Sequence, residues 1–380
     1  LVEESALSNL TPSQQRNLSR LLNRALANAW DKLAALDAES QRLVLAEYEA
    51  AAVEIVAGLR MAADRQGNVG VSGLQEVIGR VNLALEALRV ANQALAEQQV
   101  FRAAVIGAGA VEELRQLATN GEIVAASVAR LPDAGAVAEA VRQQILHLQG
   151  DDGLTLSDRI WRNHRVLRDE LLPTIQRAVI QGEEARAAVR GALERTGTAT
   201  AEQIRQVELA KTGALGDEAR AILTGPDAKA YANALRVVRT ESDRANIMTS
   251  REAIYAVEGV VGTRFLLSPA HPRFDICDLH ANVNLHGLGK GVYPRGKSPL
   301  PAHPNTLSFE EAVFEWEVTA EDRAGRDDPI DWLKSRSAVE QLGVLQSREK
   351  LRVLDQLTPE DISAPWRVLA PRFGPIATAE

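Results

Sequence analysis

Apolar residues at alternating spacings of three and four run through the first part of this chain and constrain its fold more than any other feature. Leu74, Ile78, Val81, Leu85, Leu88, Ala91 and Leu95 form one line, and Leu45, Tyr48, Ala52, Ile55 and Leu59 form another. This spacing returns side chains to one face of an α-helix, as a narrow seam that packs against a second helix. An intramolecular bundle and an intermolecular coiled coil both use such seams, and the pattern leaves both open. Aromatic residues make up only 4% of the chain, so the helices are expected to meet through alanine and leucine.

Punctuation along the chain predicts where helices start and stop. Thr11-Pro12-Ser13-Gln14 carries an N-cap, a first-turn proline and a capping-box glutamine. A second start is expected near Asp37. Gly107, Gly109, Gly121 and Pro132 are expected to cut the next stretch into shorter helices, and Gly150 to Gly153 reads as a joint. A helix from about Ser157 carries Arg159, Arg162, Arg165 and Arg168, a strip suited to solvent or to DNA phosphate, and Pro173 should kink or divide it. After Gly225-Pro226 comes a helix from about Asp227 to Val257, then a β-branched, aromatic strand from Val260 to Leu267. Helices are expected again at Ser308 to Trp316, Trp332 to Leu342 and Leu345 to Leu357.

The expected fold class is mainly α: a long helical N-terminal region, then a small α+β C-terminal domain with an irregular His/Cys/Gly-rich loop. The expected segments are a helical bundle region (1–150), a second helical region (151–230), the α+β domain (231–361) and a tail (362–380). A net charge of −8 argues against a generally basic nucleic-acid surface, while local basic patches remain open. The sole cysteine excludes an intramolecular disulfide, in keeping with folding in a reducing cytoplasm. No apolar run long enough for a membrane span and no secretion signal is read, so no membrane partner is expected.

Chemistry concentrates in one window. His271, His280, His286 and His303 lie there with Cys277, interleaved with Asp275 and Asp278. Imidazole and thiolate are the usual protein ligands of zinc, and Cys277-x-x-His280 can chelate one ion while His303 closes the loop. A structural zinc on Cys277, His280 and His303 is one reading. Histidines that hold loop backbone by hydrogen bonds are a second, and catalytic histidines a third. Gly287-Leu288-Gly289-Lys290-Gly291 has no phosphate-loop frame and reads as a tight turn, made locally basic by Lys290, Arg295 and Lys297. No H-E-x-x-H or G-x-S-x-G motif is present.

Taken in order, these pieces resemble a known family. Arg239-Thr240-Glu241 precedes the strand; Asp275-Ile276-Cys277-Asp278, the glycine-rich loop and Pro301-Ala302-His303-Pro304-Asn305 follow it. The series is similar to the phage head-morphogenesis family, the minor head proteins like protein F of phage Mu. Trp332-Leu333, Gln341 and Leu342-Gly343 resemble that family's ending. Relatives often carry cysteines after the His-Pro-Asn stretch, where this chain has Thr306-Leu307-Ser308.

The resemblance implies a non-enzymatic, low-copy virion protein of a tailed phage, at the portal or capsid interior and made in the bacterial host cytoplasm. Its implied partners are the portal protein, the major capsid or scaffolding protein, and packaged DNA. Arg239, Thr240, Glu241, Asp275, His303, Pro304 and Asn305 would form its structural motif, with the loop tying the strand to the Arg-Thr-Glu helix. Two rival chemistries stand beside it. One is a metal-dependent hydrolase on Cys277, His280 and His303; the other is a transferase-type toxin on Arg239 and Glu241.

Overall fold

The computed structural model describes residues 10–373 apart from Asp151, Asn305 and Leu307. Its fold is mainly α with a small three-stranded antiparallel sheet toward the C-terminus. Long helices come first: α1 (Pro12–Met61), α2 (Leu74–Thr119), α3 (Ala134–His147) and α4 (Leu156–Thr196). Then come α5 (Ala201–Leu209), α6 (Thr212–Thr224), α7 (Lys229–Ala256), β1 (Val260–Leu266), α8 (Ile276–Asn282), β2 (Val292–Tyr293) and β3 (Phe309–Phe314). Short helices end the described chain: α9 (Ala320–Ala324), α10 (Pro329–Lys334), α11 (Ala338–Leu345), α12 (Arg348–Arg352) and α13 (Trp366–Phe373). No helix among the described residues is long and apolar enough to cross a membrane.

The chain divides into two compact units that are discontinuous in sequence. One holds the described residues of 1–34, 103–141 and 243–380; the other holds those of 35–102 and 142–242. In the second unit, the predicted seam is spent inside the chain: Leu74, Val81, Leu85, Leu88 and Leu95 are buried, as are Tyr48, Ala52, Ile55 and Leu59. The Tyr48 hydroxyl donates to the Ala230 carbonyl at 3.1 Å and accepts from Asn163 Nδ2 at 3.0 Å. A buried phenol thus finds both partners it needs.

Several predicted breaks are absent. Helix α1 starts as expected, with Gln14 N–H donating to Thr11 Oγ1 and Thr11 N–H to Gln14 Oε1. It then runs through Asp37 without restarting: Asp37 pairs with Arg239, and Ser40 Oγ donates to the Leu36 carbonyl. Cap-forming residues here serve tertiary contacts and helix back-bonding instead. Helix α2 continues through Gly107 and Gly109. A Cβ on Gly107 would collide with Thr249 Oγ1 and the Asn246 carbonyl oxygen, so this glycine permits close helix approach rather than ending a helix. Helix α4 likewise passes Pro173, which is exposed, while Leu167, Leu171, Ile175 and Val179 stay buried on either side of it. Burial of that stripe offsets the lost backbone bond.

Residues 308–316, expected as a helix, contain strand β3. In the sheet order β2-β1-β3, Phe265 of β1 faces Glu310 and Leu266 faces Phe309, while Thr263 faces Tyr293 of β2. A backbone ladder offered by β1 overrides the local helical spacing. The helix expected from Trp332 to Leu342 is two, α10 and α11, because Ser337 forms a capping box with Glu340 and starts α11 anew.

The unit carrying the sheet has its main core in Leu18, Leu21, Leu22, Val111, Leu114, Ile254 and Phe314. A second cluster joins Ile276 and Leu279 of α8 to Leu333, Val344, Leu354 and Ile362. Between β1 and α8, a smaller one gathers Ile247, Phe265, Cys277, Tyr293 and Leu300.

Candidate functional site: the Asp275–Cys277–His303 cluster

Helix α8 follows β1 after the connection 267–275, and its first turn places the chemistry. Asp275 is the N-cap: its Oδ1 accepts from Cys277 N–H at 2.7 Å, while Asp275 N–H donates to Asp278 Oδ2 at 2.8 Å. This box holds Asp275 Oδ1 against the helix and leaves Oδ2 for another partner. That partner is His303, whose Nε2 lies 3.3 Å from Asp275 Oδ2 and 3.2 Å from Cys277 Sγ. The other ring nitrogen, Nδ1, donates to the Pro304 carbonyl at 2.9 Å. Thr306 Oγ1 stands 3.6 Å from the same sulfur. Cys277 and Thr306 are buried, and His303 is half-buried.

The electrostatics follow from this geometry. Hydrogen bonding to the Asp275 carboxylate, then to Cys277, pushes His303 up to about 10. Burial works to raise the Asp275 carboxyl. The His303 hydrogen bond and the Cys277 N–H outweigh it and hold the group at about 2. His280, the expected third ligand, sits elsewhere: its Nδ1 meets the Tyr293 hydroxyl at 3.1 Å and its ring packs on Phe265. Burial lowers it to about 4. The group whose ligand atoms all lie within 4.8 Å of one another is Asp275, Cys277 and His303. The structure therefore sets Asp275 where the spacing suggested His280. A second such group, His271, Asp275 and Asp278, adjoins it, with His271 Nε2 at 2.9 Å from Asp278 Oδ2.

This cluster is not arranged as a nucleophilic triad. In that arrangement the carboxylate holds the ring nitrogen opposite the nucleophile. Here sulfur and carboxylate converge on the same nitrogen, and the sulfur is fully buried.

The glycine-rich loop is built by Asn284. Its Oδ1 accepts from Gly287 and Gly289 N–H, and its Nδ2 donates to the Asp322 and Gly325 carbonyls. Sequence reasoning also missed Arg251 of α7, which grips Glu310 of β3 at 2.8 and 2.9 Å and donates to the Leu300 carbonyl at 3.0 Å. A lone arginine within a helical pattern carries no local mark of a partner on a distant strand. His286 stacks edge-on against Tyr293. Beside His303, a cleft of about 420 Å³ is lined by Ile276, Ala302, Gln346, Lys350 and Trp366. Lys350 is buried, donates to the Ile362 carbonyl at 2.7 Å, and is lowered by its burial.

Arg239, Thr240 and Glu241 lie in the other compact unit. Arg239 makes a two-pronged pair with Asp37 at 2.8 and 2.9 Å, and Glu241, 2% exposed, pairs with Arg159. The link from α7 to the loop and sheet region that the sequence suggested for this triplet is supplied by Arg251. Pro304 contributes its carbonyl, as above; Asn305 lies outside the described residues.

No protein-family model, no curated protein and no solved structure matches this chain.

Proposed function

We propose that this chain is a minor head protein of a tailed phage: a low-copy, non-enzymatic component at the portal or capsid interior that assists head assembly and DNA packaging or ejection. The observation that carries this reading is the order of segments. An Arg-Thr-Glu helix comes first, then a strand, an Asp-x-Cys-Asp turn, a glycine-rich loop and a His-Pro segment. The state of the reactive groups supports it. Cys277 is buried, and Glu241 is buried in an ion pair, so neither offers a nucleophile or a carboxylate to solvent. Among the described residues, Asp275, Asp278, Asn284 and His303 bond one another or loop backbone, as expected of a shape-holding element. Its partners on this reading are the portal protein and the major capsid or scaffolding protein.

Quantitative mass spectrometry of gradient-purified proheads and mature particles, from cells that encode this chain, tests the reading. Recovery at a copy number far below that of the major capsid protein is expected. Absence from both particle types overturns it.

A further inference from the structure

We infer that Asp275, Cys277 and His303 form a zinc site. The inference rests on side-chain geometry alone and stands or falls apart from the assignment to phage heads.

Three observations carry it. The first is convergence. His303 Nδ1 is committed to the Pro304 carbonyl, so the ring presents Nε2 alone to both Cys277 Sγ and Asp275 Oδ2. One N–H shared between both directions makes only a bent three-centre bond, whereas one ion placed among the three atoms bonds each of them directly. A metal-bound histidine that donates its other N–H to a backbone carbonyl is a recurrent supporting arrangement.

The second is distance. Zinc bonds of about 2.0–2.2 Å to nitrogen and oxygen and about 2.3 Å to sulfur, at tetrahedral angles, put ligand atoms roughly 3.3–3.6 Å apart. The 3.3 Å from nitrogen to oxygen falls in that range, while sulfur to nitrogen, at 3.2 Å, is a few tenths of an ångström short of the roughly 3.6 Å a shared zinc sets, so the two side chains would part slightly on binding. Thr306 Oγ1 lies 3.6 Å from the sulfur, the nearest further oxygen donor to Cys277 for which a contact is seen.

The third is preorganisation. Asp275 Oδ1 is held by Cys277 N–H, and its N–H is held by Asp278, which His271 contacts in turn at 2.9 Å. Asp275 and His303 thus each have a partner that fixes their orientation, as metal ligands commonly do. A thiolate, an imidazole and a carboxylate together suit zinc, not magnesium or calcium, which take oxygen donors. Such an ion would join the first turn of α8 to the segment before β3, closing the loop between Cys277 and His303. Binding would release to solvent the proton on His303 Nε2 and that of the Cys277 thiol.

The full chain, stripped of metal and then titrated with Zn²⁺ and separately with Co²⁺, provides the test. Elemental analysis should return one zinc per chain, the melting temperature should rise with zinc, and cobalt should give a thiolate-to-metal charge-transfer band. Cys277→Ser should abolish that band, and Asp275→Asn should weaken zinc binding by roughly a hundredfold. His280→Gln should leave the stoichiometry unchanged. Wild-type protein that folds yet takes up no stoichiometric zinc and shows no cobalt band overturns the site, without reliance on any variant. A band that persists in folded Cys277→Ser overturns the ligand set.

Discussion

The helical unit of residues 35–102 and 142–242 and the loop region around α8 solve the same problem by opposite means. In the first, long seams of Leu, Ile, Val and Ala bury one face of each helix, and polar groups such as Asn163 and Tyr48 are exceptions, joined by the bond from Asn163 Nδ2 to the Tyr48 hydroxyl. In the second, little apolar periodicity exists between β1 and β3. Shape comes from side chains that bond backbone: Asp275 on Cys277 N–H, Asn284 on two glycines, His303 on Pro304. Burial is non-directional and tolerant of detail, so it suits repeated helices. Hydrogen bonds are directional, so a loop held by them adopts one shape and depends on each partner.

The largest expected effect lies in the helical unit. Leu85 is fully buried, and Leu85→Ala should lower the free energy of unfolding by about 3–4 kcal/mol in urea titration. A loss well under 1 kcal/mol would mean that the seam is not a tightly packed core.

Next comes acid sensitivity in the loop region. His280 has an ordinary value of 6.5, and burial lowers it to about 4 in the folded chain. The unfolded chain therefore binds more protons between these values, so the stability is fully present above pH 6.5 and drains away as the pH falls toward 4. The total is on the order of 3 kcal/mol. His280→Phe should flatten the pH dependence of the melting temperature across that window; an unchanged slope would place the acid response elsewhere.

Asn284→Ala removes four bonds to loop backbone and should cost about 2 kcal/mol. Faster hydrogen exchange at Gly287 and Gly289, with the 35–102 helices unaffected, would sharpen the contrast; uniform destabilisation would blur it. The smallest effect belongs to a single cap. Thr11→Ala should cost about 1 kcal/mol, read as fraying at the start of α1.

The fold class was legible because a seam is a local pattern, visible within a few turns of one helix. Start signals worked where the side chain bonds its own turn, as at Thr11. They misled at Asp37 and Gly107, whose purposes are set by Arg239 and by Thr249 and Asn246, far away in sequence. Around α8, composition singled out the window in which Asp275, Cys277 and His303 meet. It favoured His280 over Asp275 because spacing from Cys277 looked like chelation, whereas side-chain direction decides which groups meet.

By itself, then, the sequence determined that this chain is mainly helical, which seams are apolar and where the polar loop lies, because hydrophobic period and turn chemistry act over short range. Only the tertiary structure decided that the seams close within one chain, that residues 309–314 join a sheet, and that Asp275 stands with Cys277 and His303. Those outcomes depend on which backbone ladder, carboxylate or helix face another part of the chain presents, and no local pattern carries that information.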